Sequence, residues 1–137
     1  MASILKVDNL RGNTAAGNVT ITSEGGAATM QLQQGLTKQF LTMGDDNATD
    51  DSFNTSSVTD NGTGDFTITF SNNFRAGNGI ALSGAACFAR ITLGYGAGSV
   101  PNTTTSTIRA STTYASNTSY ASIDSTETSV LCAGDLL

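Results

Sequence analysis

The chain of 137 residues contains no histidine, no tryptophan, one proline (Pro101), two cysteines and few charges, 11 acidic against 6 basic. Without histidine, imidazole acid/base catalysis and His-ligated metal sites are excluded. Serine and threonine abound, but with only two lysines and no Gly-x-Ser-x-Gly elbow there is nothing to activate a hydroxyl nucleophile. The absence of tryptophan, with three tyrosines, disfavours the aromatic groove a sugar-cleaving enzyme needs, although two Asp from distant loops remain a formal carboxylate pair. No catalytic residue and no cofactor is expected.

Cys87 and Cys132 have neither the density of a disulfide scaffold nor the paired spacing of a zinc site, and both lie in apolar alternating runs. They are expected to be buried free thiols. The basic residues Lys6, Arg11, Lys38, Arg75, Arg90 and Arg109 are scattered and the net charge is −5, which opposes nucleic-acid binding. No apolar run approaches a membrane span and the first residues lack a secretory pattern, so synthesis is expected to end in the cytoplasm, without membrane insertion.

What the chain has instead is Thr, Ser, Asn and Gly, which fill 63 of 137 positions. Leu, Ile, Val and Phe number 28, and 16 of the 52 hydrophobic residues are Ala, so large side chains for one monomeric core are scarce. The weak net charge and the alternation of the apolar residues nevertheless indicate a folded chain. A partner subunit is expected to complete the core.

Period-two alternation recurs and helical spacing does not. In Asp65-Phe-Thr-Ile-Thr-Phe70, the residues Phe66, Ile68 and Phe70 share one face as a core strand, with Thr67 and Thr69 on the other. Asn61-Gly62 before it supplies the positive-φ positions of a tight hairpin whose partner strand is residues 52–58. Further strands are expected at 4–7, 19–22, 29–32, 36–43, 80–82, 85–93, 106–110, 118–123 and 128–132, separated by Gly, Asn, Asp and Ser clusters. This spacing predicts an all-β antiparallel sandwich or barrel-like module, with one helical turn at most. Residues 1–23 are polar around Ile4, Leu5, Val7 and Leu10, and bury too little to fold alone. They are expected to form an extended N-terminal arm, with residues 24–137 as the β-rich module.

Two runs invite a metal reading: Asp45, Asp46, Asp50 and Asp51 within seven residues, and Asp60 and Asp65 flanking a glycine turn. Neither has the order of a calcium loop, and both fall where turns are expected, so they are read as solvated turn charges and no metal is assigned. Gly94-Tyr-Gly-Ala-Gly-Ser lacks the following helix that a phosphate-cradling loop requires.

The stretch from Asp51 to Phe70, Asp-Ser-Phe-Asn-Thr-Ser-Ser-Val-Thr-Asp-Asn-Gly-Thr-Gly-Asp-Phe-Thr-Ile-Thr-Phe, closely resembles a segment of tail-fibre-like and other surface virion proteins of tailed bacteriophages, particularly those of marine bacteria and cyanobacteria. Gln34-Gly-Leu-Thr-Lys-Gln-Phe40 resembles the strand that leads into it, and Ser3-Ile-Leu-Lys-Val-Asp-Asn-Leu10 the virion-proximal leader. Two departures stand out: the lead-in strand lacks a Trp common in such segments, and Asn78 is followed by Gly79 where a Tyr is usual. The resemblance implies a non-enzymatic structural protein of the particle exterior, a homotrimeric short fibre or knob or a capsid decoration protein. On that reading Ile4, Leu5, Val7 and Leu10 anchor the chain to other virion proteins. The alternative is the receptor- or glycan-binding tip module of a tail fibre, with host surface glycan as its partner and the loop at 94–102 carrying recognition.

Overall fold

Alternation decides which side chains meet. In the strand Asp65–Phe70, Phe66, Ile68 and Phe70 are buried on one face, while Thr67 and Thr69 lie half-buried on the other. The computed structural model describes residues 6–13, 19–22, 26, 29–32, 36–87, 89–93, 103–115 and 120–137. Eleven strands lie among them: β1 (Thr20–Thr22), β2 (Thr29–Gln31), β3 (Gln39–Met43), β4 (Thr49–Phe53), β5 (Thr55–Gly62), β6 (Asp65–Phe70), β7 (Ala81–Ala86), β8 (Arg90–Leu93), β9 (Thr107–Ala115), β10 (Tyr120–Ser122) and β11 (Thr128–Ala133). Gly77–Gly79 makes a single 3-10 turn. The fold is all-β, and every strand pairing is antiparallel.

Two units divide the chain, Met1–Leu36 and Thr37–Leu137. The division does not fall near residue 23, because β1 and β2 pair with each other as a two-stranded sheet within the first unit. Among the residues of that unit whose burial is described, none is buried, and Val7, Leu10, Ile21 and Leu36 are each about half exposed. Of the expected strand at 4–7, Ile4 and Leu5 lie outside the described residues, and Lys6 and Val7 are not in a strand.

The second unit is a sandwich. One sheet runs β4-β3-β11-β7, and the other runs β10-β9-β6-β5 with β8 also paired to β9. Leu41, Met43, Val130 and Cys132 project from the first sheet, and Phe66, Ile68, Phe70, Ile108 and Ala110 from the second, to form one core with Phe74. Small residues let the sheets approach. A Cβ on Gly84 of β7 would stand 3.2 Å from the terminal methyls of Ile91 and Leu93 on β8, so the edge strands of the two sheets pack face to face. Thr112 of β9 marks a handover: its N–H donates to the Gly64 carbonyl and its own carbonyl accepts from Ile123, so β10 continues the line of β6 along one edge of β9.

The expected single strand at 52–58 is two strands in two sheets. Asn54 stands between β4 and β5 at φ 57°, and this left-handed residue turns the chain from one sheet to the other. Asn is among the few residues that adopt this conformation at small cost. Its buried side chain also accepts from the Asn72 N–H at 2.6 Å and donates to the Asn72 carbonyl at 3.1 Å, fixing the loop after β6. Asn54→Gly keeps the φ and loses the bonds, for about 1–2 kcal/mol; Asn54→Ala loses both, for about 2–4 kcal/mol. Urea unfolding of the two variants should rank them in that order.

The β5–β6 hairpin forms, but its turn lies further along than Asn61-Gly62. Gly62 pairs with Asp65, so Thr63 and Gly64 make the loop, and the positive-φ residues are Gly62 (127°) and Gly64 (65°). Asn61 stays in β5, where its side chain donates to Thr67 Oγ1 at 2.8 Å. The shift has a cause: the ladder breaks register between Asp60 and Gly62, where Asp60 Oδ1 accepts the Gly62 N–H at 2.8 Å.

Candidate functional site

The outward faces of the two sheets differ in chemistry. That of the five-stranded sheet is polar, with Thr59, Thr67, Thr69, Thr107 and Ser111 around an ion pair in which Arg109 grips the Asp65 carboxylate through Nε, at 2.8 Å from Oδ1, and through Nη2 to Oδ2. These hydrogen bonds raise the Arg109 pKa above its ordinary value; desolvation works against the rise and the attraction of the charges adds to it. The carboxylate of Asp65 is thus held in the sheet by a bidentate partner.

The outward face of the four-stranded sheet carries an apolar row beside a polar one. Register aligns Phe53 of β4 with Phe40 of β3, Phe40 with Leu131 of β11, and Leu131 with Ser83 of β7, so one row crosses all four strands. Phe40 and Phe53 stack with ring centroids 6.4 Å apart at 22°. Phe53 is 52% and Leu131 43% exposed. The next row is Asp51, Thr42, Ser129 and Ala85. Because β7 contributes only small residues, Ser83 and Ala85, beside Leu131, the face is hollowed into an open groove of about 350 Å³ whose walls include Phe40 and Leu131. A sandwich whose outer face faced only water would carry polar residues at these positions.

The inward side of the same strands explains why the row points out. Gln39 is fully buried opposite Phe40, its Nε2 donating to Thr55 Oγ1 at 3.1 Å and its Oε1 accepting from the Cys132 thiol at 2.9 Å. With Gln39, Leu41 and Met43 facing in, Phe40 and Thr42 must face out. Burial pushes the Cys132 thiol up to about 12. The folded thiol therefore holds its proton more tightly than the unfolded one, whose ordinary value is 9.0; this contribution to stability is complete below that value and is lost as pH climbs toward 12. Cys87 is only half-buried, a departure from the expected burial of both thiols. A maleimide probe at neutral pH should label Cys87 well before Cys132, and label both at similar rates in denaturant.

The other sequence candidates fall as follows. Phe66, Ile68 and Phe70 lie in the core. Val7 and Leu10 are exposed in the first unit, and the loop at 94–102, expected to carry recognition in a tip module, lies outside the described residues. The acidic runs divide between turns and strands. Asp45 and Asp46 lie in the turn before β4, where Asp46 Oδ1 accepts the Ala48 N–H. Asp50 and Asp51 lie within β4 and not in the expected turn, and Asp51 Oδ1 accepts the Ser52 N–H. Asp60 lies within β5, and Asp65, at the start of β6, takes Arg109. No group of three metal-ligating side chains occurs among the described residues. No helix among them is long and apolar enough to cross a membrane. The apolar row was missed in the sequence because Phe40 and Leu41 are adjacent, and pattern alone does not say which of them turns inward.

The second unit thus belongs to the class of all-β sandwiches, with one outer face polar and the other crossed by an apolar row. No known protein family, curated protein or solved structure matches the chain.

Proposed function

We propose that this chain is a non-enzymatic structural protein of the exterior of a tailed-bacteriophage particle, either a short fibre or knob or a capsid decoration protein. The observation that carries this reading is the row Phe53, Phe40, Leu131 on the outer face of the four-stranded sheet, apolar surface of the kind subunits of an assembly cover. The likeness of residues 51–70 to surface virion proteins supplies the kind of assembly. The scarcity of large apolar residues in the chain fits a homotrimer. On this reading the leading segment, with Val7 and Leu10 exposed, is a docking piece whose partner is another subunit of the particle.

Antibody labelling of intact particles in the electron microscope is expected to find the chain on their exterior. Purified chain is expected to release no sugar from host polysaccharide. A chain absent from the particle surface, or one that cleaves polysaccharide, overturns the proposal. Saturable binding of the isolated chain to host-surface glycan would favour the tip module instead.

A further inference from the structure

We infer that the apolar outer face of the four-stranded sheet is covered by residues 6–11 of a second copy of this chain. The inference rests on the reading of the leading segment as a docking piece and names its partner. The face has an apolar row, Phe53, Phe40 and Leu131, and beside it the exposed acidic residues Asp50 and Asp51 of β4, of which Asp51 projects from the same face as Phe53. Its occupant must offer apolar side chains together with positive charge.

Residues 6–11 offer both. Val7 is 54% and Leu10 51% exposed, and Lys6 and Arg11 flank them, also exposed. The backbone bends at Asp8, so the strict alternation that would send positions 7 and 10 of a straight extended chain to opposite sides is broken between them. Among the residues of Met1–Leu36 whose burial is described, none is buried, Val7 and Leu10 included.

Charge decides between the two ways a second copy can cover the face. The unit Thr37–Leu137 has four basic against nine acidic residues and so carries the whole net charge of −5, while Met1–Leu36 has two of each and is neutral. Packing the same face against itself would set Asp50 and Asp51 of two strongly acidic units against one another. Placing the Lys6–Arg11 stretch there, whose two basic residues against Asp8 leave it at net +1, opposes unlike charges instead. The contact is then between two different surfaces, a heterologous one, and such contacts close into rings when the rotation per copy allows; three copies make the smallest ring beyond a pair.

Sedimentation equilibrium of the full chain tests this. The parent is expected to form a concentration-dependent oligomer in the micromolar range that weakens as salt is raised. Leu131→Asp, at an exposed position, should leave the thermal midpoint near that of the parent and raise the dissociation constant about tenfold or more. Lys6→Glu with Arg11→Glu should also weaken association, and adding Asp50→Lys with Asp51→Lys to that chain should restore it to within about threefold of the parent. A parent that stays monomeric, an oligomer indifferent to Leu131→Asp, or one that the paired charge reversal fails to restore overturns the inference. Those outcomes leave the particle-labelling result untouched, whereas a chain that shows the full charge-swap behaviour yet is absent from particles sinks the functional reading and leaves the interface standing.

Discussion

Replacing Gly64 with valine is expected to cost about 3 kcal/mol or more, enough to unfold much of the population of a domain of ordinary stability. Two effects combine. Gly64 sits at φ 65°, where a β-branched residue is strongly disfavoured. A Cβ there would also lie 2.4 Å from the Thr112 carbonyl oxygen and 2.8 Å from the Ile123 nitrogen, both backbone atoms at the point where β9 passes from β6 to β10. The two atoms are bonded to each other, the Ile123 N–H donating to the Thr112 carbonyl, and their withdrawal would also disturb the flanking bonds of the junction, from the Thr112 N–H to the Gly64 carbonyl and from the Gly64 N–H to Asp124 Oδ1 at 2.6 Å. Gly62 provides the control. It also has positive φ, 127°, but nothing lies within 4 Å of an added Cβ, so Gly62→Ala should cost only about 1 kcal/mol. Chemical denaturation of both variants separates the terms, and equal midpoints would show that close packing at Gly64 contributes nothing.

That contrast shows where sequence stops being informative. The strand Asp65–Phe70 was legible because its period-two pattern is clean and its inward residues are large. The sandwich followed from many such strands with polar breaks. The exact turn was not legible, since Asn-Gly and Gly-Asp alternatives lie within four residues and the choice was made by Asp60 and Asp124, the latter 60 residues away. The strand β4 was hidden because Asp50 and Asp51 lie within it. Acidic residues are poor strand formers in general, yet on β4, which among the described residues pairs with β3 alone and so stands at the sheet edge, they are tolerated and discourage further pairing. The start of the second unit was misplaced because a pair of three-residue strands, β1 and β2, resembles the beginning of a longer sheet until its pairing is known.

The two outer faces link this local chemistry to the proposed role. Thr and Ser on β6 and β9 are β-branched or small and polar, so they hold a sheet while remaining wetted. On β3, β4 and β11 the equivalent outward positions hold Phe40, Phe53 and Leu131, which gain nothing from water. In a chain so poor in large apolar residues, placing three of them outward withdraws them from the monomer's core. The arrangement makes physical sense if the face is buried in the assembled state, where the same side chains contribute to the stability of the whole.

Truncating Phe74 to alanine is expected to destabilise the second unit by about 3–5 kcal/mol, although Phe74 lies in a polar stretch, Ser71-Asn-Asn-Phe-Arg75, with no strand periodicity to announce it. Its ring is fully buried and meets the Phe70 ring edge-on, with centroids 4.8 Å apart. Its backbone is equally committed. The Phe74 N–H donates to the Thr105 carbonyl at 2.8 Å and Phe74 bridges to Leu136, while the neighbouring Arg75 N–H donates to Asp135 and the Leu137 N–H to Asn73. Phe74 therefore pins the loop after β6, the approach to β9 and the C-terminal residues to one point, and a cavity there loosens all three. Phe53→Ala is the matched comparison, because that ring is half exposed on the outer face and should cost the isolated monomer below about 1 kcal/mol. In hydrogen exchange, Phe74→Ala should speed exchange of the Arg75 and Leu137 amides far more than Phe53→Ala does. Similar stability losses for the two variants would mean that the loop is not a fixed part of the core and that burial of Phe74 is incidental.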